Sequence, residues 1–197
     1  MTAGNTSDPM MQPSTLNEPG SRLASVFEAG RSQPQILLVT GDSGAGKTTW
    51  CAALIDAARA AGLTVGGLLC PAVFNDGAKT GIDMRDLLTG ETRRLAQRRT
   101  PQSTGVMTIH WHFDESVLDW GNAVLRELPP VDTLIIDELG PLELIRGEGL
   151  LEALTVLDRG AFRVACVIVR LGLVEAARQR WPGALVVDVE SAASGQP

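Results

Sequence analysis

The octet Gly41-Asp42-Ser43-Gly44-Ala45-Gly46-Lys47-Thr48 constrains this chain more tightly than any other stretch. It matches G-x-x-x-x-G-K-[ST] at every fixed position, directly after the apolar run Ile36-Leu37-Leu38-Val39 and directly before a run of good helix formers. Glycines let such a loop curl until its N–H groups converge on an anion, and the helix that follows adds the positive end of its dipole. Lys47 then reaches β and γ phosphate oxygens, and the Thr48 hydroxyl is placed for Mg²⁺. The candidate phosphate-binding residues are Gly41, Asp42, Ser43, Gly44, Ala45, Gly46, Lys47, Thr48 and Thr49, with Thr48 also a metal ligand. A chain with this loop needs a buried strand before it and a helix after it, which selects an α/β fold.

The rest of the pattern agrees. Helical spacing runs over 47–61, 114–128, 150–157 and 173–180, and short apolar strands over 65–69, 134–136, 164–169 and 184–189. Continuous apolar strands alternating with helices predict a mainly parallel sheet covered on both faces, a three-layer α/β/α sandwich. Between 71 and 109 the periodicity weakens. Asn75-Asp76-Gly77 marks a turn, 81–84 and 85–88 read as two short strands closing on Thr89-Gly90, 91–105 as a polar connection and 106–109 as a further strand. Residues 1–34 lack a periodic apolar pattern and read as a flexible N-terminal extension, with 22–29 suited to one or two helical turns. The P-loop domain is expected over 35–190, followed by a short tail at 191–197.

A phosphate-cradling loop calls for a carboxylate at the end of another buried strand, and Leu134-Ile135-Ile136-Asp137-Glu138 supplies it. Asp137 is the candidate metal partner, acting through a coordinated water. Glu138, next along the strand, points away from it and reads either as the general base for a water attacking the γ-phosphorus or as a surface acid. Arg170 follows the run 164–169 at the edge where open sheets bind ligands, and either neutralises charge on the γ-phosphate or forms a surface ion pair. Glu143 reads as a supporting acid or as a helix cap. Arg93, Arg94, Arg98 and Arg99 have i, i+4 spacing and read as one helical face, either solvated or lying over phosphates as a lid. His110 and His112 alternate as strand residues do but miss the zinc spacings, so they read as polar residues at a strand end. Cys51 reads as a packed small residue, while Trp50 and Trp111 are open between core packing and approach to a base.

Charge and composition narrow the partners. The 197 residues carry 17 basic and 23 acidic side chains, a net charge of −6 that repels phosphate backbones and argues against a nucleic-acid partner. Among the basic residues only Lys47 and Lys79 are lysines. No apolar run approaches the roughly 18 residues of a membrane span. Residues 1–20 do not resemble a secretory leader, and the widely spaced Cys51, Cys70 and Cys166 fit a reducing compartment. The expectation is a cytoplasmic protein without a membrane partner.

Leu134-Ile135-Ile136-Asp137-Glu138-Leu139-Gly140-Pro141-Leu142-Glu143-Leu144, paired with GDSGAGKTT at 41–49, resembles the THEP1-type nucleoside-triphosphatases, whose second motif reads close to I-D-E-[IL]-G-x-[ML]-E-L. The likeness covers most of 35–190, taking in Thr80-Gly81-Ile82-Asp83, Arg170 after its strand and Pro182-Gly183-Ala184. It implies a P-loop NTPase fold with a RecA-like sheet and slow Mg²⁺-dependent hydrolysis of ATP, GTP and other NTPs to the diphosphate. It also implies Lys47 and Thr48 as phosphate and metal residues, Asp137 as metal partner and Glu138 as base. One stretch departs from the family pattern. A T-x-E-V-R-like segment is replaced by Cys70-Pro71-Ala72-Val73-Phe74, so its Glu and Arg are supplied elsewhere or absent. The guanine-selecting tetrad N-K-x-D is missing. The expected function is thus an NTP phosphohydrolase using Mg²⁺, with Glu138, Lys47 and Arg170 as catalytic residues. A monomer is favoured, and the N-terminal extension is the place for a protein partner. Two other readings stand beside it: a nucleotide or small-metabolite kinase using 71–105 as second floor and lid, and a nucleotide-dependent regulatory or adaptor protein.

Overall fold

The computed structural model describes residues 33–189. The expectations for residues 1–32, including helical turns at 22–29, and for the C-terminal tail lie outside them. The strands are β1 (Gln35–Thr40), β2 (Val65–Leu69), β3 (Ala72–Asn75), β4 (Ala78–Asp86), β5 (Thr92–Arg98), β6 (Trp111–Phe113), β7 (Val131–Leu139), β8 (Phe162–Val169) and β9 (Leu185–Asp188). The helices are α1 (Lys47–Ala60), α2 (Glu115–Glu127), α3 (Leu151–Arg159) and α4 (Val174–Arg180). A single π-type turn, Leu142–Arg146, leads from β7 toward α3.

Apolar alternation along the strands decides which helix covers which face. On β1, Leu37 and Val39 point to one side with Ile135 and Cys166, where Trp50, Leu54, Ile55 and Ala58 of α1 cover them. Leu38, Leu134, Ile136, Ala165 and Val167 point to the other, against Val117 and Leu125 of α2, Val156 and Leu157 of α3, and Ala177 of α4. Each fully buried leucine or isoleucine on these faces contributes about 1.5–3 kcal/mol relative to exposure. The result is three layers, helix, sheet and helix.

Five parallel strands form the centre of the sheet in the order β2-β7-β8-β1-β9, and the antiparallel strands β4, β5 and β6 continue it beyond β2, with β3 paired to β4. β8 therefore lies between the phosphate-loop strand and the strand carrying Asp137. Gly67 marks the tightest passage. Its φ is 102°, and a Cβ there would meet the Ile135 carbonyl oxygen of β7 at 2.1 Å, so no other residue fits. No helix among the described residues is long and apolar enough to cross a membrane.

The antiparallel extension departs from three expectations. Residues 81–88 are not a pair of strands: 78–86 form the single strand β4, which pairs with β2 at Leu68 and Leu69 and with β5 on its other edge. Arg93, Arg94 and Arg98 do not share a helical face, because they lie on strand β5. Buried Leu95 and Ala96 anchor that strand, and the flanking arginines are drawn to separate partners. Arg93 stacks on Trp120, Arg94 pairs with Asp83, and Arg98 stacks on Trp111. Residues 106–109 do not form a strand. Their partner 111–113 does, and the two segments meet through the Met107–His112 bridge around a tight turn in which Thr108 N–H donates to the Trp111 carbonyl at 2.9 Å.

Candidate functional site

The loop between β1 and α1 carries the anion-binding features its sequence demands. Gly46, at the N-cap of α1, has φ 88° and ψ 19°, a left-handed conformation that L side chains resist. No side chain caps α1 and no acidic residue occupies its first turn, so its leading N–H groups are left for an external anion. α2 contrasts with it, since Asp114 caps that helix by accepting from Ser116 N–H. The Lys47 ammonium lies back over the loop, donating to the carbonyls of Gly41 and Asp42 at 2.8 Å each. Trp50 is core beneath the loop, packed with Leu54 and Cys51.

Two strands away, β7 delivers the acids. The β7–β8 register slips between Ile136 and Leu139, because Ile136 pairs with Val167 and Leu139 with Val169. This irregularity falls on Asp137-Glu138 and turns the two carboxylates toward opposite neighbours. Asp137, 3% exposed, faces β2, where its Oδ2 accepts the Cys70 N–H at 3.1 Å. Burial pushes its pKa up to about 7, further aided by the Glu138 charge; the Cys70 N–H, the facing Thr48 hydroxyl and the charge of Lys79 act in the opposite direction. Glu138 faces β8, where its Oε1 accepts from Arg170 Nε at 2.5 Å. The pair is half-exposed, at the open edge of the sheet.

Lys47, Thr48, Asp137, Glu138 and Arg170 thus converge on one edge, formed by the C-terminal ends of β1, β8 and β7. Thr48 and Asp137 present hard oxygen donors to one another, and among the described residues no cationic side chain is paired with the buried Asp137 carboxyl. That donor set suits Mg²⁺, which takes few protein ligands and completes its shell with phosphate oxygens and water.

Other candidates have different employment. Glu143 is buried and ties the chain after β7: its two carboxylate oxygens accept from Gly140 N–H at 2.9 Å and Leu150 N–H at 3.0 Å. Burial raises its pKa. The Cys51 and Cys166 sulfurs are buried 3.0 Å apart, and their mutual contact together with burial pushes the Cys51 thiol up, away from nucleophilic chemistry. Burial and the carboxylates of Asp137, Glu138 and Glu143 do the same to Cys70. On β3, Ala72 and Phe74 stand in place of the family's acid and arginine, with Phe74 63% exposed. Sequence reasoning missed two participants, the Cys70 backbone N–H and Lys79. Neither had a local signal, since both depend on how the extension folds back on β2.

The family model for NTPase matches residues 36–191. A nucleoside-triphosphatase THEP1 from Thermofilum pendens is 33% identical over 121 residues, covering 61% of this chain and 66% of that protein. Its counterpart from Methanopyrus kandleri is 32% identical over 111 residues, covering 56% of this chain and 61% of that protein. The matched regions therefore span under two thirds of these relatives' own lengths. Among solved structures, a human cancer-related nucleoside triphosphatase superposes with a TM-score of 0.58 at 21% identity, over 84% of this chain and 100% of that one. THEP1 from Aquifex aeolicus superposes at 0.56 and 17% identity, over 79% and 90%; likenesses at such identities establish the shared fold. Because the family match runs from the first strand past the last, the chain belongs to the THEP1-type NTPase family.

Proposed function

We propose that this chain is a nucleoside-triphosphate phosphohydrolase that cleaves the β–γ bond of ATP, GTP and other NTPs with Mg²⁺. The observation that carries the reading is the convergence of Lys47 and Thr48 with Asp137 and an Arg170-held Glu138 on one sheet edge. In this reading the loop amides from Gly41 to Thr49 and the uncapped start of α1 bind the triphosphate. Lys47 exchanges its two loop carbonyls for β and γ oxygens. Thr48 and Asp137 would hold Mg²⁺, which would supply positive charge against the triphosphate. Glu138 accepts a proton from water as the water oxygen bonds to the γ-phosphorus and the bond to the β–γ bridging oxygen breaks, releasing NDP and inorganic phosphate. Arg170 orients Glu138 through Nε, leaving its other N–H groups for a γ-phosphate oxygen. The names of the curated relatives support the same activity. We place it in the cytoplasm, a reading supported by the cysteine usage, and expect no nucleic-acid partner.

Phosphate release from an NTP panel with Mg²⁺ tests the reading. Lys47→Ala should lose nucleotide binding and turnover. Glu138→Gln should still bind nucleotide while turnover falls about 10²–10⁴-fold, the range for losing a general base. Wild-type chain that binds nucleotide yet releases phosphate only when a small acceptor or a protein partner is added would overturn the hydrolase reading in favour of a kinase or a regulatory protein.

A further inference from the structure

The proposed hydrolysis draws on no arginine of the antiparallel extension, and at one corner the extension gathers several cations. Two arginines of the extension meet acids, Arg93 pairing with Glu91 and Arg94 with Asp83. Among the described residues, no carboxylate stands within ion-pair distance of Lys79, Arg98 or Arg99. Lys79 and Arg98 lie together. The Lys79 ammonium is 5.0 Å and the Arg98 guanidinium 5.7 Å from the centre of the Trp111 ring, and Arg98 Nε donates to the Lys79 carbonyl at 3.2 Å. Arg98 and Arg99 continue into a concavity of about 310 Å³, walled otherwise by Thr100, Pro101, Ile109 and His110.

Topology aims this corner at the site. β2 ends beside Arg85, and β4 runs antiparallel to it, so residues 79–84 extend past the end of β2 on the edge where Asp137 lies. The charge of Lys79 reaches the Asp137 carboxyl. In the sheet order, the extension and the phosphate loop flank β7 from opposite sides. The acids of β7 therefore stand between two anion-attracting surfaces, one built from backbone N–H groups and the other from side chains. Cations on an aromatic ring, beside a concavity that Arg98 and Arg99 line, suit phosphate oxygens, with guanidinium planes able to pair with them bidentately.

We propose that Lys79 and Arg98 on Trp111, with Arg99 beside Arg98 in the adjoining concavity, form a second binding site, for a phosphate-bearing small molecule distinct from the triphosphate in the loop. This rests on the NTPase reading only for the occupant of the first site. The shared chemistry is the phosphate, whose source is either a nucleotide or a free inorganic anion.

Calorimetric titration of the full chain tests it. With the loop saturated by a β,γ-methylene ATP analogue and Mg²⁺, adenosine monophosphate and inorganic pyrophosphate are added in separate experiments. A further equivalent should bind. Stronger binding of the monophosphate identifies a nucleotide site, and equal or stronger binding of pyrophosphate identifies an inorganic-anion site. Arg99→Ala, which removes a side chain without an ion-pair partner among the described residues, should weaken this event about 10-fold, as expected for one charge-assisted contact. Arg98→Ala/Arg99→Ala should abolish it, with Arg146→Ala as the unaffected control. Lys47→Ala should lose the analogue and keep the second event, which separates failure of the loop reading from failure of this one. No second equivalent, an equivalent unchanged in Arg99→Ala, or tighter binding of a single-stranded RNA oligomer at the same arginines would overturn the proposal.

Discussion

At the residue scale, the proposed chemistry turns on how two consecutive acids are parted. Asp137 and Glu138 lie on a slipped stretch of β7, so one carboxylate faces the Cys70 N–H and the other faces Arg170. Arg170 has no apolar burial to hold it, being over half exposed, and its ordered partner is the Glu138 carboxylate. If it positions the base, Arg170→Ala should lower kcat about 10- to 100-fold with KM within about 3-fold of wild type, since misplacing a catalytic group by an ångström costs that much. Steady-state kinetics read the split. A raised KM at unchanged kcat would instead mean that Arg170 binds the ground-state phosphate. The placement of Asp137 and Glu138 near a strand end was legible in the sequence because they follow three aliphatics that the sheet buries. The Arg170 contact was legible only as one of two alternatives, because the sequence does not say which strand lies beside β7. Glu143 was ambiguous for a different reason: an acid with two backbone N–H partners and an acid that serves a site look alike until the loop around them is folded.

At the element scale, helix starts show a division of labour. α2 is closed by Asp114, whereas α1 begins at Gly46 with no side-chain cap among the described residues, so the more stable arrangement is forgone where the proposed anion would bind. The sheet edge away from the site is pinned instead. At the start of β7, Asp132 accepts from the Thr64 N–H at 2.9 Å and the Thr64 hydroxyl at 2.8 Å, with Arg163 at 3.3 Å. These contacts hold its carboxyl below the usual range. A lowered folded-state pKa means stabilisation that is complete above the unfolded value and lost as pH falls through the folded one. The stability difference between wild type and Asp132→Asn should therefore be present at neutral pH and shrink once the pH drops below about 4. Chemical denaturation at a series of pH values measures it, and a difference that does not vary with pH would assign the contact to packing. β5 shows where element reading fails. Thr92-Arg93-Arg94-Leu95-Ala96-Gln97-Arg98 has a central apolar pair too short to set a period, and only pairing to β4 and β6, with aromatic rings to receive Arg93 and Arg98, makes it a strand.

For the whole molecule, a ligand gripped by both the loop and the end of β7 ties α1 to the centre of the sheet, and binding to the folded state alone must stabilise it. A non-hydrolysable NTP with Mg²⁺ at about 100 times its Kd should add about 2.7 kcal/mol to unfolding. Lys47→Ala should show none of this gain in thermal or denaturant melts, and an equal gain in that variant would place nucleotide binding elsewhere. What the sequence determined by itself was whatever depends on near neighbours along the chain. The glycine loop, the uncapped helix start, the alternating apolar strands and the acid pair at a strand end are fixed by backbone sterics and by burial periodicity over a few residues. Tertiary structure decided the remainder, because it depends on which distant strands lie side by side. The order β2-β7-β8-β1 placed Cys70 and Arg170 on either side of the acids and set β8 between loop and carboxylates. Folding of β4, β5 and β6 beyond β2 brought Lys79, Arg98 and Trp111, far apart in sequence, to one corner. Hydrogen-bond partners across strands and charges without counter-ions are properties of that arrangement, and no local pattern of residues encodes them.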